Sequence, residues 1–143
     1  MTALRIRKEL DIEMTLDHCT EGYLIADEIA ASGCPVILGP IGNFPQKPEV
    51  MQQRLSPAGL LRRAGVSVGM CVGAGLSEQD GFASITSTAA SILGLDARIG
   101  SLAPGKDANL AIFNGNPIRD LWCRCVATVT EGQLIQHPHC EPQ

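Results

Sequence analysis

Short apolar runs separated by helical patterning constrain the fold of this chain more than any other feature. Two of them, residues 35–39 and 66–72, are almost continuously hydrophobic, which is typical of strands covered on both faces. A third run, residues 13–17, comes earlier in the chain. Because helical segments alternate with these runs, the sequence predicts βα units and a parallel sheet up to about Gly94.

Four helical segments are predicted in this region, at residues 1–10, 21–32, 56–64 and 77–93. The third begins with Ser56, a suitable N-cap, and Pro57, a suitable first helical residue. The fourth begins with Ser77 and Asp80 at capping-box spacing, which predicts that Asp80 caps this helix. One side of the fourth helix is expected to carry the apolar residues Phe82, Ile85, Ala89 and Ile92.

After Gly94 the pattern changes to short β segments separated by turns. Strands are predicted at residues 109–113, 123–130 and 133–136, with Asn114 and Gly115 beginning the first turn. The chain therefore divides into an α/β body at residues 1–94 and a small β-rich segment at residues 95–143. The tail is expected to be loose from about residue 137.

Charge and composition exclude several function classes. The net charge of −4 and the pI near 5.3 leave no broad cationic surface for nucleic acid or anionic lipid. No apolar run reaches the length of a membrane span, and the charged residues at positions 1–10 do not resemble a signal peptide. The six cysteines include no CxxC pair, so reduced thiols in a cytoplasmic protein are expected.

His18 is the best single candidate for chemistry. It follows the strand predicted at residues 13–17, and the carboxyl ends of strands are where βα folds place their sites. A hydrogen-bonded structural histidine is the competing interpretation, and one imidazole does not make a zinc site, which needs three or four ligands. The Gly- and Pro-rich residues 39–47 follow the next strand and are either a ligand-binding loop or a plain connection.

A second group of metal-compatible side chains lies near the end of the sequence. Cys123 and Cys125 are two residues apart and would share one face of a strand, with His137 and His139 close by in sequence. Their spacing matches no defined zinc finger or ribbon. A small metal-binding module there is the weakest of the functional hypotheses.

Two motifs give the chain a resemblance to a known family. Residues 95–110 read LDARIGSLAPGKDANL, which closely resembles a signature of the amidohydrolase superfamily. Residues 16–22, LDHCTEG, resemble a motif of imidazolonepropionase-like amidohydrolases, and the VILGP run at residues 36–40 with Lys47 resembles the segment that follows it. Together these motifs cover nearly the whole chain.

The resemblance implies a fold, a cofactor and a role for His18. The expected fold is the last three βα units of a (β/α)8 TIM barrel, followed by the C-terminal strands of a small composite β domain. The expected cofactor is a divalent metal, zinc by family resemblance, with His18 as the metal-binding histidine at the end of the sixth barrel strand. The first five strands of such a barrel have no counterpart in residues 1–143.

The residue expected to follow the eighth barrel strand is different. Where the resemblance implies a metal-binding aspartate, the run at residues 70–75 has Gly73, which has no side chain. We therefore predict no catalytic residue in this chain. The first hypothesis is therefore an incomplete amidohydrolase, whose family hydrolyses C–N bonds of small cyclic amides, imidazolones or dipeptides. The alternative is a non-catalytic subunit that docks on a complete amidohydrolase. A protein partner or a homo-oligomer could supply the strands that are lacking.

Overall fold

The computed structural model describes residues 1–39, 56–69, 75–120 and 122–136 of the 143-residue chain. Gly73, the loop residues 40–47 and the histidines of the tail lie outside these ranges. The elements follow in the order α1 (Thr2–Leu10), β1 (Leu16–His18), a 3-10 turn (Gly22–Ile25), α2 (Ala26–Ser32), β2 (Val36–Leu38), α3 (Pro57–Arg63), β3 (Val68–Gly69), α4 (Glu78–Ile85), α5 (Ser87–Ile92), β4 (Leu110–Phe113), β5 (Cys125–Thr130) and β6 (Gln133–Gln136).

The first three strands form the predicted parallel sheet, in the order β1-β2-β3. Val36 and Leu38 on its central strand are 0% and 5% exposed, because α2 and α3 pack Ile29 and Leu61 against them. Each fully buried aliphatic side chain of this kind contributes about 1.5–3 kcal/mol. The core therefore lies between one face of the sheet and these two helices.

The opposite face of the sheet, called the inner face below, carries Asp17, Ile37 and Gly69, which pair with one another across the strands. At Gly69, the last residue of β3, α5 approaches this face so closely that an added Cβ would lie 2.9 Å from Cδ1 of Ile92. On the β1 side of the inner face, Asp17 stays exposed.

The prediction of one continuous helix at residues 77–93 is wrong, because the segment forms two helices separated at Thr86. The Thr86 backbone adopts φ −130° and ψ −98°, and its hydroxyl donates to the Phe82 carbonyl oxygen at 2.5 Å. Side-chain bonds of this type compete with the helical backbone pattern. The apolar side predicted for one helix is consequently divided: Phe82 and Ile85 are 37% and 38% exposed, while Ile92 faces the sheet.

The two predicted caps have different outcomes. The Ser77 hydroxyl accepts from the Asp80 backbone N–H at 3.1 Å, which makes Ser77 the N-cap of α4. The Asp80 carboxylate accepts from the same hydroxyl at 2.8 Å, whereas the side chain of a capping box accepts from the N-cap backbone N–H. Arg62 also donates to this carboxylate, at 3.0 Å. Ser56 occupies the N-cap position of α3, but its side chain makes no capping hydrogen bond.

A tight loop at residues 96–107 connects the two halves of the described chain. Lys106 points its ammonium group into this loop, where it donates to the Asp96 carbonyl oxygen at 2.5 Å and to the Ser101 hydroxyl at 2.7 Å. The Arg98 guanidinium donates to the Asp107 carboxylate at 2.6 Å. The run at residues 95–110, which carries the family resemblance, therefore forms a loop held by hydrogen bonds between its own residues.

The last three strands form an antiparallel sheet in the order β4-β5-β6. None of their side chains is charged. Every residue of β4 and β6 is exposed, and Leu134 and Ile135 are 59% and 50% exposed. Trp122, just before β5, is 81% exposed. Such uncharged outer strands are open to pairing with a further strand.

Side chains of α4 connect the two parts of the chain. The Glu78 carboxylate accepts from the Asn116 amide and from the Arg119 guanidinium, each at 2.5 Å. Ile118 packs against Gly81, where an added Cβ would lie 3.3 Å from its Cγ2. The division at residue 94 stays a prediction. None of the helices in the described ranges has the length and apolar character to cross a bilayer.

Candidate functional site at the carboxyl edge of the sheet

The predicted site residue His18 is the last residue of β1, at the carboxyl edge of the parallel sheet. Its register partner is Leu38, whose side chain is buried under the helices. Strict alternation along β1 would send the imidazole to the same covered side. The His18 side chain is instead 67% exposed, so the backbone must redirect it.

The redirection comes from a left-handed backbone conformation. His18 has φ 62° and Cys19 has φ 38°, values that non-glycine residues adopt uncommonly and that histidine adopts more often than most. The imidazole consequently reaches Asp17 and Gly39, which belong to the inner face or continue it. Backbone strain of this kind is concentrated at functional sites.

Asp17 is the hydrogen-bond partner of His18. Its Oδ2 lies 3.0 Å from the imidazole Nδ1. This hydrogen bond is the main reason that the pKa of the Asp17 carboxyl lies below its ordinary value. A carboxylate that accepts from Nδ1 leaves Nε2 with a lone pair, the arrangement found behind many metal-bound histidines.

Gly39 forms the surface against which the imidazole packs. A Cβ at this position would lie 2.5 Å from Cδ2, 2.8 Å from Cγ and 3.1 Å from Nε2 of His18. The Gly39 N–H also donates to the His18 carbonyl oxygen at 3.2 Å, which keeps the two backbones together. Any side chain here would displace the ring. Sequence patterns marked Gly39 only as the start of a loop, and nothing in them indicated this contact.

Cys19 turns away from this edge and is partly buried. Its Sγ occupies the space that a Cβ on Gly22 would need. Burial raises the pKa of the Cys19 thiol, so the thiolate, which is the form that binds metals, is disfavoured. Cys19 is therefore a packing residue of the turn after β1.

The described residues do not make a complete metal site. They contain no group of three or more His, Cys, Asp and Glu side chains close enough to share an ion, whereas zinc takes three or four protein ligands. Cys123 precedes β5 instead of sharing a strand with Cys125, and His137 and His139 are outside the described residues. No step of metal chemistry follows from these residues alone.

A cavity lies at the other edge of the sheet. It has a volume of about 550 Å³ and is lined by Thr15, Pro35 and Ser67, the residues that directly precede the three strands, together with Arg7 and Ile92. Active sites of (β/α)8 barrels are at the carboxyl edge. The His18 edge therefore remains the candidate site in spite of the cavity.

A model of the amidohydrolase family matches residues 51–135, more than half of the chain. The chain belongs to the amidohydrolase family. Members of this family generally use divalent metals, and they act on small molecules. The match includes the loop closed by Arg98 and Lys106, and it confirms the family assignment made from that run of sequence.

Solved amidohydrolases have the same fold. The structure of an amidohydrolase from Thermotoga maritima MSB8 is 30% identical and superposes with a TM-score of 0.86 over 95% of this chain. A second amidohydrolase is 19% identical with a TM-score of 0.70 over 94%. A prolidase complexed with N-methylphosphonate-L-proline is 18% identical with a TM-score of 0.67 over 94%. No curated protein matches the sequence.

The chain spans 40% of the length of the Thermotoga maritima protein, 42% of the second amidohydrolase and 43% of the prolidase. The predicted fold class, a partial amidohydrolase TIM barrel, is confirmed. The role of His18, the consequence of Gly73 and the identity of the metal stay predictions.

Proposed function

We propose that this chain forms the C-terminal section of an amidohydrolase barrel and that His18 supplies one ligand to a divalent ion, zinc by family resemblance. The observation that carries this proposal is the placement of the imidazole on the inner face at the carboxyl edge. The hydrogen bond from Nδ1 to Asp17, which leaves Nε2 available, supports it further.

The reaction proposed for the complete barrel is hydrolysis of a C–N bond in a small cyclic amide, an imidazolone or a dipeptide-like molecule. The described residues hold no group of three metal ligands, so we infer that this section does not catalyse the reaction alone. It contributes a ligand and part of the barrel wall. The proposed location is the cytoplasm.

The remaining strands must come from outside residues 1–143. Both outer strands of the parallel sheet, β1 and β3, have one edge without a neighbour among the described residues. Three strands cannot close a barrel whose family form has eight. A separate protein partner, a further part of a longer polypeptide or a homo-oligomer would each provide the pairing.

A chimera tests the role of His18. This chain replaces the matched section of the Thermotoga maritima amidohydrolase, and zinc content and hydrolysis of a panel of dipeptides and cyclic amides are measured. We expect His18→Gln to weaken zinc binding at least about tenfold. Asp27→Asn, at an exposed residue of α2, is the control and should leave zinc content unchanged. Equal zinc affinity in the chimera and its His18→Gln variant would show that His18 is no ligand.

The non-catalytic subunit remains the second candidate because Gly73 stands where the family resemblance implies an aspartate. The same chimera distinguishes the two functions. If the section is catalytic when completed, the chimera hydrolyses part of the substrate panel. If it is a non-catalytic subunit, the chimera binds zinc without activity, and Gly73→Asp is then expected to raise hydrolysis.

A further inference from the structure

We propose that Asp17 and Gly39 are positioning residues that hold the His18 imidazole as its Nδ1–H tautomer, with Nε2 free at the carboxyl edge of the sheet. What Nε2 binds rests on the proposed function, but the tautomer and the ring position do not. Neither residue touches a reacting atom in this proposal. Each acts through His18.

Asp17 sets the tautomer. An imidazole in water carries its proton mainly on Nε2, and a hydrogen bond to the other nitrogen decides which tautomer a protein holds. The Asp17 carboxylate oxygen lies 3.0 Å from Nδ1. While Asp17 is ionised, this oxygen accepts hydrogen bonds and cannot donate one. The proton must therefore be on Nδ1, and the lone pair is left on Nε2.

Gly39 sets the position of the ring. Three of the five ring atoms lie within 3.1 Å of the place that a Cβ would occupy, so the imidazole rests on bare backbone. The Gly39 N–H bond to the His18 carbonyl oxygen fixes the distance between the two strands at this point. An added methyl group would have to push the ring away from the inner face or separate the strands.

The left-handed backbone of His18 makes these two contacts necessary. At φ 62° the residue departs from the alternation of β1, and a conformation of this kind persists only where the surroundings hold it. Asp17 on one side and Gly39 on the other are the contacts that hold the ring. The three residues form one unit at the end of two adjacent strands.

Nitrogen-15 NMR of the histidine side chains tests the proposal without metal or substrate. Spectra of the full chain are recorded at about pH 8, above the ordinary titration range of imidazole, and His18→Gln assigns the signals. We expect His18 to be mainly the Nδ1–H tautomer and Asp17→Ala to move the tautomer ratio toward Nε2–H. Because both side chains are about two thirds exposed, the expected change is about threefold to tenfold.

Conservative and control variants complete the experiment. Asp17→Glu should restore most of the Nδ1–H tautomer, which a merely structural role for Asp17 would not produce, and Asp27→Ala should leave the ratio as it is. Gly39→Ala should abolish the nuclear Overhauser effect between His18 Hδ2 and the residue 39 backbone, whereas Gly81→Ala should retain it. Circular dichroism confirms folding, and any variant that does not fold is repeated in the chimera.

An unchanged tautomer ratio in folded Asp17→Ala, or an unmoved ring in folded Gly39→Ala, would overturn the proposal. Failure of zinc binding in the chimera would not, since it concerns only what Nε2 binds. Conversely, a His18 that binds zinc as the other tautomer would support the proposed function and reject this inference.

Discussion

The Arg98 guanidinium lies 2.6 Å from the Asp107 carboxylate, and this pair closes the loop that carries the family signature. Inside the loop, the Lys106 ammonium group donates to the Asp96 carbonyl oxygen, to the Ser101 hydroxyl and, at 3.4 Å, to the Ile99 carbonyl oxygen. All these bonds are internal to the loop. The signature therefore stabilises the connection between the two sheets and is not part of the site at His18.

We expect Lys106→Met to lower the free energy of unfolding more than Arg98→Met does. Lys106 is half-buried and satisfies three acceptors, so its loss should cost about 1–2 kcal/mol. The Arg98 side chain is 71% exposed, and such surface ion pairs contribute less than about 1 kcal/mol. Urea unfolding gives both values, with the exposed Lys8→Met as control. A larger effect at Arg98 would contradict this ranking.

Ser77→Ala should lower the stability of the chain by about 1 kcal/mol, since it removes the side chain that caps α4. Ser56→Ala is a matched control at the N-cap position of α3, where the hydroxyl makes no capping bond. It should change stability by less than about 0.5 kcal/mol. Thermal unfolding followed by circular dichroism compares the two, and equal losses would mean that the Ser77 bond contributes nothing.

Acidification should weaken the contacts of Asp80. The Ser77 hydroxyl, and after it Arg62, lowers the pKa of the Asp80 carboxyl below its ordinary value of 3.8. Its contribution is thus fully present above that value and is lost as the pH falls through the lower pKa of the folded state. Asp80→Asn should be less stable than wild type at pH 7, and the difference should narrow toward about pH 3.

Urea midpoints at successive pH values measure this dependence. Asp27→Asn, in the first turn of α2, serves as the control for removing an exposed carboxylate. A constant difference between wild type and Asp80→Asn from pH 7 to about pH 3 would show that ionised Asp80 does not stabilise the fold.

Gly59→Ala should destabilise the chain although alanine favours helices. A Cβ on Gly59, in α3, would collide with the Gly75 carbonyl oxygen. Such overpacking costs about 1–3 kcal/mol, against a helix preference for alanine of up to about 1 kcal/mol. At Gly81 in α4, the neighbour is the Cγ2 methyl of Ile118 at 3.3 Å, a side chain that can rotate. Gly81→Ala should be neutral or stabilising in the same urea experiment.

The sequence predicted the elements better than their details. Near-continuous apolar runs at residues 35–39 and 66–72 correctly indicated the parallel strands Val36–Leu38 and Val68–Gly69, because buried strand positions leave little choice of residue. The break at Thr86 could not be predicted, since a hydroxyl bond to one carbonyl competes with a helix that the apolar pattern continues to favour. Ser56 was predicted to cap α3 because serine is a common N-cap residue, but its side chain makes no capping hydrogen bond.

The sequence predicted the position of the candidate site residue His18 but not the direction of its side chain. The position of His18 after a strand indicated the carboxyl edge, yet the direction of its imidazole depends on a left-handed φ that no sequence pattern specified. Its contact with Gly39 joins residues of two strands, so it arises only when the sheet forms.

Trp122, the one tryptophan of the chain, is 81% exposed beside the uncharged strands of the second sheet. Its indole already experiences water in the folded chain, so intrinsic fluorescence will respond weakly to unfolding. Strands that join this sheet and cover the indole would instead shift its emission to shorter wavelength. Trp122 fluorescence would therefore report the joining of further strands to this sheet in a titration, without any added label.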